Sequence, residues 1–288
     1  MKLIEPAKPE ILVQEKGFVG MCNHIARCAS VCYNSKPKTG DEAVEFVRKL
    51  IKNGHGRALE FGTICFTEES PDCGFSYRER NPWIEFYDNP SAYTRFYTTN
   101  LRFFIDEVFL PNRPLDALDS IKKCWYYGFS DEGYKGSLEW NKNHPKRVTI
   151  HFPAISRAIA DEFRTHTTIS TMMRSTRYVD AMKDGEIEFI KPYWYSEEKP
   201  EVQVLFEQAL SLAAASYKYI RGKYKLVQQN VRDILPLCVK TEMVMCGSVD
   251  AWRNFINLRT ASAAHPDAQR MANEVKSLLQ AQYPEDFA

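Results

Sequence analysis

The chain has 288 residues, 44% of them hydrophobic and 26% charged, which is enough apolar material for a sizeable core without disulfide or metal staples. Its 38 basic and 37 acidic residues leave a net charge of +1, which excludes the broad electrostatic footprint of a nucleic-acid or anionic-membrane binder but not a small anion held by a few local arginines. No apolar run reaches membrane-spanning length, and the eight cysteines show no CxxC spacing, so the expectation is reduced thiols in the cytosol rather than a zinc or disulfide framework.

The opening Met1-Lys2-Leu3-Ile4-Glu5-Pro6 breaks after two apolar residues and predicts no signal peptide. A short strand is predicted near Ile11–Val13, and a helical stretch around His24–Cys32. Thr39-Gly40-Asp41 offers caps for a helix over about 41–53, whose Val44, Val47, Leu50 and Ile51 keep the helical period before Gly54 closes it. Thr63–Thr67 has strand composition. Residues 68–95 carry turn residues, charges and aromatics, as a surface excursion does. Arg95–Thr99 is a candidate strand, and Asn100 a cap for a helix to about Leu110. Residues 111–145 read as irregular, with a short helix around Leu115–Trp125.

Lys146–Phe152 alternates as a strand, with Val148, Ile150 and Phe152 on one face and Arg147, Thr149 and His151 on the other. Ser156 starts a helix through about Arg164, and a polar loop is predicted from there to Tyr178. Glu188–Tyr193 returns as a strand. A long amphipathic helix spans about 201–225, and two more are expected at about Val249–Leu258 and Pro266–Gln280, with Pro266 suited to a first helical turn. With no repeat or linker, the expected fold is a single α/β domain (α+β type) over 1–288, with a mixed sheet packed with helices and an insertion at about 68–145.

The most unusual stretch is Phe163-Arg164-Thr165-His166-Thr167-Thr168-Ile169-Ser170-Thr171-Met172-Met173-Arg174-Ser175-Thr176-Arg177-Tyr178. Arginine forks beside serine and threonine hydroxyls are groups that hold phosphate or carboxylate oxygens; a solvated connection is an equally good account of the spacing alone. Arg232 and Arg259 each adjoin an apolar run, where an arginine can also snorkel or pair with a carboxylate. His55 follows a helix end, where a cation is mildly favoured. Walker A, GxGxxG, HExxH and GxSxG motifs are absent. These residues by themselves indicate an anion-binding α/β protein, with nucleotide-like ligands the best fit.

At these residues the chain resembles the flavin-dependent thymidylate synthases. That family carries Arg-His-Arg, seven residues, then Ser-x-Arg-Tyr; here Thr165-His166-Thr167 stands in the triplet and Ser175-Thr176-Arg177-Tyr178 ends the motif. Ser156-Arg157-Ala158 with Glu162-Phe163 resembles the helix leading into it. Ala29–Tyr33 and Gly54-His55 with Leu59-Glu60-Phe61 continue the similarity, and Tyr97–Arg102 and His144–Thr149 resemble a longer branch of the family. Arg232, Leu235-Pro236, Thr241–Met245, Trp252, Phe255, Leu258-Arg259 and His265-Pro266 resemble the family in order and spacing.

The resemblance implies conversion of dUMP to dTMP with methylenetetrahydrofolate as one-carbon donor, FAD as cofactor and NADPH as reductant, in a cytoplasmic homotetramer whose sites draw on several subunits. By position it assigns Ser175 and Arg177 to the nucleotide phosphate, and Arg232 and Glu162 to the nucleotide. Arg259 falls at the pyrimidine as the catalytic residue, where a positioned cation stabilises developing charge. His55, Glu60, His166 and Asn254 fall at FAD, with Arg164 as a substitute cation. The sequence departs from the pattern at Thr165 and Thr167, which replace arginines, at Met172-Met173, which replaces a polar pair, and at Ser248 and Asp250, where many members have Asn and Arg. Losing two charge-assisted hydrogen bonds of about 1.5–3 kcal/mol each bears directly on flavin binding. The alternatives are a same-fold enzyme acting on another pyrimidine nucleotide, and a non-catalytic nucleotide-binding paralogue.

Overall fold

The computed structural model describes residues 1–69, 83–89, 94–109, 114–127, 129–131, 134–136, 138 and 140–288. In chain order the strands are β1 (Lys2–Ile4), β2 (Glu10–Leu12), β3 (Thr63–Glu69), β4 (Glu85–Asn89), β5 (Thr94–Asn100), β6 (Phe129–Asp131), β7 (Tyr134–Gly136), β8 (Arg147–Ser156), β9 (Ser170–Met173), β10 (Glu188–Ile190) and β11 (Lys240–Ser248). The helices are α1 (Gly17–Tyr33), α2 (Asp41–Lys52), α3 (Gly56–Leu59), α4 (Leu101–Phe103), α5 (Pro114–Tyr127), α6 (Arg157–Phe163), α7 (Pro200–Tyr224), α8 (Gln228–Val231), α9 (Val249–Arg259), α10 (Pro266–Gln282) and α11 (Pro284–Phe287). None of the described helices is long and apolar enough to cross a membrane.

The central sheet has the order β2-β8-β11-β9 and is antiparallel throughout. Alternation along β8 sends Val148, Ile150 and Phe152 to one face, where Met243 and Met245 of β11 join them. Against that face pack Phe163 of α6, Trp252 and Phe255 of α9, and Met271 and Val275 of α10. The opposite face presents Leu12, Val244 and Cys246 to Cys28 and Val31 of α1. Helix layers therefore cover both faces, as the expected mixed α/β class requires. A second antiparallel sheet, β3-β5-β4, adjoins α1, α2 and α5 through a core that includes Phe18, Val47, Phe66, Tyr97 and Leu118. The parallel component of the fold is separate: β1 pairs with β10.

Local chemistry sets the element ends. Ser156 accepts from the Ile159 N–H and Ser248 from the Ala251 N–H, so both helices that follow a central strand are capped by a serine. Asn100 accepts from the Phe103 N–H, as expected; the helix it caps is the single turn α4, continued as a π-helical stretch to Phe109. In α2, Asp41 and Glu42 lie in the first turn and Lys49 and Lys52 in the last, matching the helix dipole. A Cβ on Gly20 would stand 2.3 Å from the Glu15 carbonyl oxygen. Gly20→Ala is therefore expected to shift the start of α1 and cost about 1–3 kcal/mol, read by denaturant unfolding; an unchanged midpoint would refute this packing.

One expectation is corrected, and two strands stand where no element was predicted. The polar loop between α6 and Tyr178 contains the strand β9, which pairs Ser170–Met173 with Cys246–Met243. Its hydroxyls and methionines lack an apolar stripe because it is an edge strand between two cores: Met172 packs toward one and Met173 toward the other. The first strand without a prediction is β11, whose Met243-Val244-Met245 run is buried and so shows no alternation. The other is the opening Lys2–Ile4. The expected surface excursion over 68–95 falls largely outside the described residues. Residues 111–145 hold the longer helix α5 and the hairpin β6-β7.

Candidate functional site

The Ser175–Tyr178 segment leaves the end of β9 and is pinned on both sides. The Arg174 N–H donates to the Glu242 carbonyl at 2.8 Å, and the Ser175 N–H to the Cys32 carbonyl at 3.0 Å. The Ser175 hydroxyl accepts from the Arg177 N–H at 3.3 Å, and Gln228 Nε2 donates to the Arg177 carbonyl at 2.9 Å. Arg232 follows α8 in a tight 3-10 turn and donates to Thr176 Oγ1 at 3.2 Å.

These groups form one wall of a cleft that contains about 550 Å³ of space, open mouth included. Arg174, Ser175, Thr176, Arg232 and Thr241 line it, with Tyr217 of α7 behind them. Thr241 is 3% exposed and its Oγ1 has no hydrogen-bond partner. A buried hydroxyl without a partner costs roughly 1–3 kcal/mol, a cost that a ligand oxygen at this position would remove. Asp184, Glu186 and Glu188 also line it. Asp184 takes Arg174 at 2.8 Å and Glu188 takes Lys240 at 2.6 Å. The Asp184 carboxyl is lowered from its ordinary value: burial raises it, and the bonds from Arg174 and Asn34 outweigh that. Arg177 is exposed, with its guanidinium 5.4 Å over the Tyr178 ring, outside the cleft lining.

A second constellation sits where α6 and α9 end. Arg259 Nε donates to His166 Nε2 at 2.8 Å, Nη1 to Glu162 Oε2 at 3.1 Å, and Nη2 to the Glu162 carbonyl and Thr165 Oγ1, both at 2.9 Å. Four of the five guanidinium N–H groups are thereby engaged, leaving one on Nη1. Thr165, which stands where the resemblance expects an arginine, is thus one of the acceptors that orient Arg259. His166 must be neutral to accept, and burial followed by the Arg259 charge lowers it to about 4.

The remaining site residues are neither among the cleft residues nor among the hydrogen-bond partners of Arg259. His55 is exposed at the start of α3. Glu60 is 3% exposed and clamped by Arg57 at 2.9 Å and Arg102 at 2.7 Å. Arg164 is exposed and lies 3.4 Å from Asp161. Asn254 is exposed on α9. Asp250 pairs with Arg253 at 2.8 Å and is not among the cleft residues, so its charge does not face the cleft. Ser248 serves as the α9 cap. Sequence reasoning missed the Thr241 hydroxyl and the acidic lining. Nothing local marks either, because Thr241 reaches the cleft on β11, and the acids on β10 and the turn before it.

Three buried histidines, His24, His144 and His166, give the fold a definite pH response. Burial lowers both His24 and His166 to about 4, helped by Arg27 and Arg147 at the first and by Arg259 at the second. From pH 6.5 down to about 4 the unfolded chain therefore binds protons there that the folded chain refuses, and stability falls as pH falls through that window. His151 acts the other way: burial lowers it, but the hydrogen bonds it donates to Glu242 and Glu10 hold it above its ordinary value. Its contribution is full below 6.5 and is lost as pH rises. Burial also lowers His144, so with three groups against one the melting temperature is expected to be lower at pH 5 than at pH 7. A flat or rising profile in thermal melts would contradict these assignments.

Residues 144–285 match the family model described as thymidylate synthase complementing protein. The flavin-dependent thymidylate synthase of Mycolicibacterium gilvum is 27% identical over 155 residues, covering 49% of this chain and 60% of that protein. The enzyme of the same name from Mycobacterium marinum is 28% identical over 155 residues, with the same coverage. The chain thus spans about 60% of the length of the curated relatives it matches. Among solved structures, the flavin-dependent thymidylate synthase of Helicobacter pylori complexed with FAD and dUMP aligns with a TM-score of 0.42 and 17% identity, over 49% of this chain and 71% of that one.

Proposed function

We propose, from the premise that residues 144–285 belong to the thymidylate synthase complementing protein family, that the chain is a flavin-dependent thymidylate synthase. It methylates dUMP to dTMP with methylenetetrahydrofolate as one-carbon donor, FAD as cofactor and NADPH as reductant. The observation that carries this reading is the cleft. It offers the Arg232 fork, the Ser175 and Thr176 hydroxyls and the unpartnered Thr241 hydroxyl to one anion, within the residues that match the family. Arginine forks with hydroxyls suit a phosphate, and Arg177 at the rim adds a further cation. Arg259, oriented by Glu162, Thr165 and His166, directs its remaining N–H at the pyrimidine and stabilises charge on a carbonyl oxygen as C5 becomes nucleophilic.

Toward a flavin the chain offers the exposed groups of His55, Arg164 and Asn254, which fit a diphosphate and polar ring edges. Glu60 and His166 are satisfied inside the fold, so they would support the contact from behind rather than make it. The flavin, when bound, supplies the reducing equivalents. Because these residues are not among those lining the cleft, we place the complete site in a cytoplasmic homotetramer, with residues 68–145 as an insertion in a single domain. The internal satisfaction of Glu60 and His166 favours, as a second reading, an enzyme of the same fold on another pyrimidine nucleotide, or a nucleotide-binding protein without turnover.

Purified full-length chain separates these readings. The expected results are uptake of added FAD, seen as a flavin absorbance band, and dTMP formed from dUMP, methylenetetrahydrofolate and NADPH. A colourless protein that refuses FAD sinks the first reading; dUMP binding without product points to the second.

A further inference from the structure

Helix α7 has 25 residues and is about 38 Å long, yet among them only Leu210 and Tyr217 are buried. Its inner side, with Phe206, Leu210, Ala214, Tyr217 and Ile220, packs on its own chain. The other side carries Leu205 at 66%, Leu212 at 70% and Tyr219 at 54% exposure. These three recur every seven residues, so they form one continuous stripe along a helix. Large exposed apolar stripes mark interaction surfaces.

Charge decides the occupant. Exposed Glu197, Glu198 and Glu201 outnumber the exposed Lys199 at the N-terminal end, and exposed Lys218, Lys223 and Lys225 stand at the C-terminal end. A second identical helix laid parallel would set like charges together. Laid antiparallel, it sets each end against its opposite. The spacing is also symmetric about Leu212: Leu205 and Tyr219 are each seven residues away, and Glu201 and Lys223 each eleven. The exposed Ala209 and Ala215 flank the centre and are small enough to let two helices approach to about 8–10 Å. A surface that complements itself under a two-fold rotation is what an isologous dimer uses.

We infer that α7 is a self-pairing surface, on which a second copy of this chain packs its own α7 antiparallel, with Leu212 at the two-fold axis, Leu205 against Tyr219 and Glu201 against Lys223. The inference rests on the self-association proposed above and names its surface.

The test uses the full chain. Its mass by light scattering is expected to exceed that of a monomer. Leu212→Glu, which sets two like charges on the axis, is expected to weaken association at least 100-fold with an unchanged circular dichroism spectrum, since the position is exposed. The register is read by oxidation. Leu212→Cys cross-links between copies by itself; Leu205→Cys does so only when mixed with Tyr219→Cys. A monomeric native chain, an oligomer indifferent to Leu212→Glu, or self-cross-linking of Leu205→Cys overturns the pairing. FAD and dUMP binding, measured on the same samples, score the catalytic reading separately: a self-paired chain that binds neither keeps this inference and removes that reading.

Discussion

Arg259→Ala is expected to lose turnover by at least about 100-fold and to lower stability by about 2–3 kcal/mol. The two effects have different origins. Stability falls because the guanidinium holds Glu162 through both its carboxylate and its carbonyl, and also holds Thr165 and His166. Removing it leaves four acceptors in a half-buried corner, and hydrogen bonds to charged groups contribute about 1.5–3 kcal/mol each. At about 2–4 °C per kcal/mol for a chain of this size, the melting temperature should drop by several degrees. On the proposed reading, turnover falls because Arg259 is the cation that meets charge developing on the pyrimidine. Arg259→Lys should recover little of either, since one ammonium cannot span acceptors arranged for a planar fork. Thermal melts and product assays on both variants check this. A destabilised variant with native turnover would reduce Arg259 to a strut.

Arg232→Ala makes the opposite separation. The side chain is 40% exposed and touches Thr176 at 3.2 Å and Asp233 at 3.7 Å, so its loss should leave folding within about 0.5 kcal/mol of the native value. Affinity for dUMP should fall by roughly 10- to 100-fold, the equivalent of one charge-assisted hydrogen bond. Thr241→Val belongs in the same experiment. It keeps the volume and removes the unpartnered hydroxyl, so the free protein should be unharmed while nucleotide binding weakens. Titration calorimetry with dUMP reads all three proteins. Equal affinities for wild type and Arg232→Ala would take the phosphate out of this cleft.

Much of this was legible in the sequence wherever a pattern is carried by neighbours in the chain. The alternation Val148-Thr149-Ile150-His151-Phe152 gave the faces of β8 correctly, and Pro266 and Asn100 marked helix starts. What was hidden depends on partners distant in sequence. β11 is buried on both sides, and an unbroken apolar run does not distinguish a central strand from a buried helix. β9 is polar because an edge strand need not carry a full apolar face, and only its pairing with β11 identifies it. The triplet Thr165-His166-Thr167 reads in sequence as a loss of two cations. In the fold, Thr165 has an employment of its own, accepting from Arg259 while donating to the Glu162 carbonyl.

The alternate placement of Met172 and Met173 carries an oxidative liability. Each thioether faces a different core from the same four-residue edge strand, and both are only partly covered. A sulfoxide at either position would put a polar, chiral group into apolar packing. The strand it would loosen is the one whose next residues, Arg174 and Ser175, enter the cleft. Peroxide treatment is therefore expected to abolish dUMP binding before it unfolds the chain, with recovery on incubation with methionine sulfoxide reductase. A Met172→Leu, Met173→Leu variant should be resistant, and if it is as sensitive as the native chain, the damage lies elsewhere.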